Sequence, residues 1–430
     1  MDLRMEFEGD DVVIVECENA IGDVIIPRTI HSDDHENLNV GHEFTIRSIV
    51  KYAFSCCEGI TSIHIPDTVT SIDGSAFSDC PDLESIVVDD DNPNYTSRDG
   101  VLFDKDVTFM IKFPEGKKGD YVIPKGVIAL GEFAFSRGPG LTSVTFPDSI
   151  TSLEDCTFAW CPNLISINVN AGNGCFSSKD GVLFDKNGTA LIKYPEGKRG
   201  DYIVPEGVIS IRSWAFSECP GLTSIIIPEG VTSIEDWSFN ECTGLSSISI
   251  PEGVRSIGNF AFSTCVNLNS VKIPANVRSI GNNAFDECHN LTSMTIPEGV
   301  TSVREYTFSG CCNLESVTLP ESITSIKDNA FAGCCALTSI DIPKNVTSIG
   351  RYAFKGCSKL TSIVIPEGVT SIDDWAFSEC TGLESIHIPR SVESMGLWVF
   401  NECTGLKRVY LDSDIDYDFG KGVEIVRSKS

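Results

Sequence analysis

The sequence predicts an α/β repeat solenoid. It is a right-handed stack of coils with a parallel β-sheet on one face, short 3₁₀/α turns on the other, and two enlarged coils bearing hairpins. Three observations predict it. Phe54, Phe77, Phe135, Phe158, Phe216, Phe239, Phe262, Phe285, Phe308, Phe331, Phe354, Phe377 and Phe400 form a ladder with ten steps of 23 residues and two of 58. Cysteines recur three residues after most of these rings, and an Ile-Pro dipeptide recurs ahead of each turn. A fixed period in this range marks stacked units that share a continuous core, since one such coil cannot bury its own apolar face.

Residues 1–43 read as an N-terminal cap with a degenerate first coil: Glu6, Glu8, Asp10 and Asp11 precede the apolar run Val12–Val15, and Ile25-Ile26-Pro27 opens the repeat. Residues 44–411 are the solenoid. One unit shows Leu222, Ile225, Ile227, Pro228, Val231, Ile234, Phe239 and Cys242. Alternation from Ile225 to Ile227 gives a short strand with one buried side. Pro228 cannot donate to a ladder and ends that strand, and Gly230 provides a turn. A second extended piece follows at Thr232–Ile234. The three-residue spacing of Phe239 and Cys242 suits one 3₁₀ or α turn that buries both.

The two long steps contain matching inserts, about 89–123 and 170–204. Tyr95 to Asp106 parallels Phe176 to Asn187, and Phe113-Pro-Glu-Gly parallels Tyr194-Pro-Glu-Gly. Asp99-Gly100, Asp180-Gly181 and Asn187-Gly188 are hairpin-turn dipeptides, so each insert reads as an enlarged coil with a small hairpin. It is either a tolerated loop expansion or a binding protrusion. Residues 412–430 are the C-terminal cap and tail, with charge closing the stack after Val409 and fraying expected from Arg427 onward. No independent second domain is expected.

The consensus L-x-S-I-x-I-P-x-x-V-x-S-I-x-x-x-A-F-x-x-C resembles the BspA-like class of leucine-rich repeats from about Asp23 to Leu411. The resemblance implies a curved, parallel-stranded solenoid of the kind found in microbial surface adhesins and interaction proteins. It therefore implies non-catalytic binding of a macromolecule, a protein or glycan ligand, at the cell surface or after secretion. It names no ligand, because one fold hosts unlike partners.

Composition narrows the partners. The chain has 430 residues, 41% hydrophobic, and a formal net charge of −29 from 61 acidic and 32 basic residues. Such a surface repels phosphate backbones and anionic lipid, so neither nucleic acid nor membrane insertion is expected. No apolar run reaches the ~18 residues of a membrane span. The opening residues lack a basic region followed by an apolar one, which by itself reads as cytoplasmic, with an intracellular protein-interaction scaffold as the alternative function.

Twelve of the 18 cysteines, from Cys57 to Cys403, lie three residues after a ladder Phe and form a column of small buried thiols. Parallel side chains disfavour disulfides, and no zinc spacing occurs. Cys312 and Cys335 stand one place off the column in adjacent coils and are the reactive pair to expect.

No phosphate loop, zinc-protease helix or nucleophile elbow is present, and the histidines are scattered. The expectation is no enzyme, no cofactor and no metal. Two stripes are left for binding. One is the outward strand position, which includes His64, Lys272, His387 and Tyr410 among otherwise varied residues. The other lies two residues before each ladder Phe and holds four of the five tryptophans. Its best patches are Trp214, Trp237 and Phe260, then Tyr352, Trp375 and Trp398. These rings either shield the ladder by lying on the next coil or form an interface strip, since Tyr and Trp are favoured anchors. Self-association through the solenoid ends is a further option.

Overall fold

The computed structural model describes residues 2–427 apart from 10, 19, 32–42, 413, 414, 416 and 421. Parts of both expected caps, and the expected frayed end at 428–430, thus lie outside the described residues. The chain is a β-solenoid of stacked coils and divides into two compact units, Met1–Gly188 with Tyr194–Lys198, and Thr189–Lys193 with Arg199–Ser430.

In the first unit, Asp2–Glu8 and Asp11–Glu18 form an antiparallel hairpin. The second strand of that hairpin pairs in parallel with Glu43–Ile49, which continues to Ser71–Ile72. Gly22–Ile25, Ile60–Ile65 and Ser85–Val88 make one parallel row, and Gly119–Val122, Leu141–Phe146 and Ser166–Val169 make another. The first insert separates these rows. Its hairpin, Tyr95–Arg98 with Val101–Asp104, turns at Asp99 and Gly100 with φ 50° and 76°, the left-handed pair that Asp-Gly favours.

That hairpin lies down on its coil. Ile86 N donates to Gly100 O at 2.8 Å and Val88 N to Ser97 Oγ at 3.0 Å, so it satisfies a strand edge that the next coil would otherwise cover. The buried Asn92 amide donates to Pro66 O and Val69 O at 2.8 and 2.9 Å. Gly100 must be glycine, because a Cβ there would sit 2.7 Å from Ser85 Oγ.

The insert also supplies a ladder ring that the spacing hides. Phe113 follows Phe77 by 36 residues and precedes Phe135 by 22. It packs 5.3 Å from Phe135, and its N–H bonds Ala134 O, as that of Phe54 bonds Ala76 O. Lys112 and Glu115 beside it form a buried ion pair at 3.1 Å, with side chains 0% and 2% exposed. The Glu115 carboxylate accepts Asp79 N and Cys80 N at 3.2 and 2.9 Å.

The second unit shows the regular coil. Most coils carry two strands, the exception being the coil of Leu337–Ile342, where the outer strand is not formed. Leu222–Ile226, Ser247–Ser249 and Ser270–Lys272 belong to the outer strand row, whose members pair in parallel where bonded. The expected second extended piece is itself a ladder, with Ser210–Ile211, Ser233–Ile234, Ser256–Ile257 and Ser279–Ile280 in register. At the end, Glu424–Arg427 adds a parallel strand to Arg408–Leu411, while Tyr417 and Phe419 pack on Phe400.

Where a 3₁₀ or α turn is expected, the chain forms consecutive tight turns, and no helix occurs among the described residues. The reason is an alternation. Trp237, Phe239 and Glu241 donate N–H to Asn259, Ala261 and Ser263 of the next coil at 2.8, 2.8 and 2.9 Å. Asn240 and Cys242 donate back within the coil, to Trp237 and Phe239 at 3.2 Å. Trp237 and Glu241 reach this arrangement with φ 60° and 57°, which interrupts any right-handed helix.

The core is the ring ladder. From Phe216 to Phe400, successive rings stack at 4.8–5.8 Å with planes within 11°. The cysteine column does more than fill space. Cys265 Sγ donates to Phe239 O at 3.1 Å, Cys288 to Phe262 at 3.1 Å and Cys311 to Phe285 at 3.2 Å, while each Phe carbonyl also takes the Cys N–H of its own coil. Both carbonyl lone pairs are thereby used. Burial pushes the Cys265 thiol up to about 12, so it stays protonated at neutral pH. In the native protein a maleimide is therefore expected to label the exposed Cys56, Cys175, Cys312 and Cys335 and to spare the column until denaturant is added. Column labelling at the same rate contradicts this packing.

Candidate functional site

The aromatic stripe occupies a strained backbone position. Trp214, Trp237, Phe260, Tyr352, Trp375 and Trp398 all have φ between 54° and 60°, as do Asn283, Tyr306 and Asn329 in the coils between. In the coils before Trp398 the cause is the hydrogen bond each N–H makes to the next coil, such as Tyr352 to Asp374 O at 3.0 Å and Trp375 to Leu397 O at 2.9 Å. Left-handed backbone costs a bulky residue about 1–2 kcal/mol, whereas Asn tolerates it. The fold thus permits Asn here, and the aromatic side chains need a separate explanation.

Part of that explanation is stacking. Trp214 and Trp237 lie 4.9 Å apart with planes 7° apart, and Trp237 and Phe260 4.0 Å apart at 9°. This first patch is tight and half-buried. The second is looser: Tyr352 to Trp375 is 6.0 Å at 26°, and Trp375 to Trp398 is 5.8 Å at 27°. Trp398 ends 59% exposed beside Leu397, which is 69% exposed. Stacked rings cover one another's faces and turn their edges outward. Trp398, at the end of its stack, has Trp375 on one side only.

Charge surrounds the second patch. The Arg351 guanidinium bridges to Asp374 at 2.6 Å and lies 5.9 Å over the Tyr352 ring, and Lys355 pairs with Glu379 at 3.2 Å. The Arg351 hydrogen bond, with the Leu397 N–H behind it, holds the Asp374 carboxyl below its usual range. Alongside, a groove of about 400 Å³ runs over Ile326, Lys327, Gly350, Asp373 and Gly396. The chain passes from Gly350 and Gly396 directly into Arg351-Tyr352 and Leu397-Trp398. A similar depression of about 420 Å³, floored by Gly258 and Gly281, adjoins the first patch.

The outward strand positions assemble less. His387 and Tyr410 are register partners, with Val364 on the other side of His387. His387 Nε2 meets Asp412 Oδ2 at 2.6 Å, and Tyr410 is 40% exposed. Lys272 stands apart, its register partner being Ser249. His64 belongs to the first unit, where it pairs with Ile25 and Val87. Neither stripe includes Leu397, Arg351 or Ile203, which ends the first strand of its row 67% exposed beside Ile226 at 61%. The shared Gly-Asp-Tyr of residues 119–121 and 200–202 is the signal that marks such restarts. Among the described residues no group of three His, Cys, Asp or Glu is placed to hold a metal ion, and no helix is long and apolar enough to cross a membrane.

A family model for the BspA type leucine-rich repeat region matches residues 31–106, 112–184, 209–338 and 324–419. A crystal structure of a leucine-rich repeat protein from Eubacterium ventriosum is similar at 27% identity and a TM-score of 0.58, covering 81% of this chain and 90% of that one. A leucine-rich repeat protein from Bacteroides ovatus aligns at 24% identity over 100% and 99% of the two chains, with a TM-score of 0.43. A leucine rich cell surface protein from Faecalibacterium prausnitzii aligns at 24% identity over 90% and 95%, with a TM-score of 0.41. No curated protein sequence matches the chain.

Proposed function

The chain belongs to the BspA-type leucine-rich repeat family, and on that premise we propose that it is a non-catalytic adhesion or recognition protein whose second unit binds a protein ligand. Tyr352, Trp375 and Trp398 are the anchors, Leu397 extends them, and Arg351, Asp374 and Lys355 form the polar rim. One observation carries this reading: large rings occupy a left-handed position that the same chain fills with Asn in two coils, and the last ring ends more than half exposed. Trp and Tyr anchors within a charged rim are the usual composition of an energetic interface centre. Residues His387 and Tyr410 extend the surface on the strand side. Trp214, Trp237 and Phe260 form a second, more closed contact, while Lys272 and His64 are peripheral.

Substituting Asn tests the reading without the damage of a cavity. Trp375→Asn loses two stacked pairs, with Tyr352 and with Trp398, each worth about 0.5–1.5 kcal/mol, and relieves about 1–2 kcal/mol of backbone strain. Stability is therefore expected to stay within about 2 kcal/mol of wild type. Capture of partners by Trp375→Asn and Trp398→Asn, from host proteins and from the source cell's own proteins, is expected to fall while the thermal midpoint holds. Unchanged capture removes the aromatic patch from the function. Placement at the cell surface is tested by protease shaving of intact source cells: full protection of the chain directs the partner search inside.

A further inference from the structure

The position just after the column cysteine faces solvent. Successive coils carry Thr243, Val266, His289, Cys312, Cys335 and Ser358 there, so two neighbouring coils present thiols at one site. Both thiols are exposed, unlike Cys311 and Cys334 beside them. The two coils are in register at this level. Ser302 and Val303 pair with Ser325 and Ile326, Gly310 N donates to Ala332 O at 2.7 Å, and Ala336 N donates to Cys312 O at 3.1 Å. In-register coils place equivalent Cα atoms about 4.8 Å apart, inside the window of about 4.4–6.8 Å that a disulfide spans.

The approach to the pair is open. Two residues before each thiol the chain has Gly310 and Gly333, with φ 67° and 73°, where other coils place Glu218, Glu241, Glu379 and Glu402 at the same left-handed position. The two glycines remove bulk beside both thiols, while the Glu287 carboxylate of the preceding coil lies against Gly310 and leaves one negative charge near Cys312. The buried thiols cannot follow, because each is bonded to a Phe carbonyl. Cys312 is held by the Gly310 carbonyl at 3.2 Å, at the surface, and its thiol also interacts with that of Cys335, so these two side chains converge as the column thiols do not.

We propose that Cys312 and Cys335 form a reversible disulfide that staples two adjacent coils, closed by exchange with a small-molecule disulfide. One thiolate attacks a sulfur of glutathione disulfide, forming a mixed disulfide and releasing one glutathione. The second thiolate then attacks the protein sulfur of that mixed disulfide and expels the other glutathione. The two protein thiols are oxidised by two electrons, the glutathione disulfide is reduced, and the two released protons go to the departing thiolates. Burial, then the neighbouring Cys335, hold the Cys312 thiol above its ordinary value, so closure accelerates as pH rises.

The test equilibrates the full-length native protein with mixtures of glutathione and glutathione disulfide, quenches with an alkylating agent, and maps peptides by mass. The expected product is a Cys312–Cys335 cross-link that reopens with excess glutathione, with the column cysteines alkylated only after denaturation. Cys312→Ser is expected to stop at a stable mixed disulfide on Cys335. Oxidation is expected to raise the thermal midpoint of wild type and to leave that of the Ser variant unmoved. Wild-type protein that ends with two mixed disulfides, or with both thiols free, overturns the proposal. So does a cross-link that forms only in denaturant.

Discussion

Phe285→Ala is expected to remove about 3–5 kcal/mol of stability from the second unit, the cost of emptying a well-packed aromatic site. Phe285 is fully buried between Phe262 and Phe308, at 5.4 and 5.6 Å with planes 3° and 4° apart. Neither ring can move into the gap without leaving its own place in the ladder. Each coil also depends mainly on its neighbours, so the loss weakens one interface rather than the whole stack equally. Unfolding in urea is then expected to separate into two transitions. Tryptophan fluorescence can resolve them, since Trp214 and Trp237 lie before the broken rung and Trp375 and Trp398 after it. A single transition with an unchanged midpoint contradicts the ladder as the organising core.

Glu115→Gln is expected to cost the first unit a similar amount, about 3–5 kcal/mol, because it leaves the Lys112 ammonium buried without its counter-charge. The second half of the prediction is recovery. Lys112→Met combined with Glu115→Gln leaves no unpaired charge, and the amide can still accept from Asp79 or Cys80. The double variant is expected to regain most of the loss, and a double-mutant cycle measures how much. Additive single losses in the cycle contradict the pairing.

The fold was largely legible because the ladder Phe, the Ile-Pro pair and the column Cys report directly on what is buried. Phe113 escaped the period since its coil replaces the usual Ala-Phe-x-x-Cys with Lys-Phe-Pro-Glu-Gly, and a buried ion pair leaves no apolar pattern. The turn run was misread as helical for a physical reason. A three-residue Phe–Cys spacing fits a helical turn and two consecutive tight turns alike, and only the left-handed φ at Trp237 and Glu241 decides between them. The final strand, Glu424–Arg427, has no apolar alternation to announce it. For the candidate site, the concentration of tryptophan was visible, but not that the rings stack face to face. Whether two aromatic residues 23 apart cover each other depends on backbone that Asn also adopts. Leu397 was invisible because its equivalents, Asp236, Asn259, Asp328 and Asp374, are polar and all four accept a backbone N–H of the following coil.

The most direct test of the binding surface is the dissociation constant of a partner captured by wild type, measured again with Trp398→Asn. Trp398 is the most exposed ring of the stripe and makes the smallest demand on the core. A loss of about thirty-fold, the equivalent of about 2 kcal/mol, with an unchanged thermal midpoint is the predicted result. Equal affinity of the folded variant contradicts the assignment of the aromatic patch as the interface.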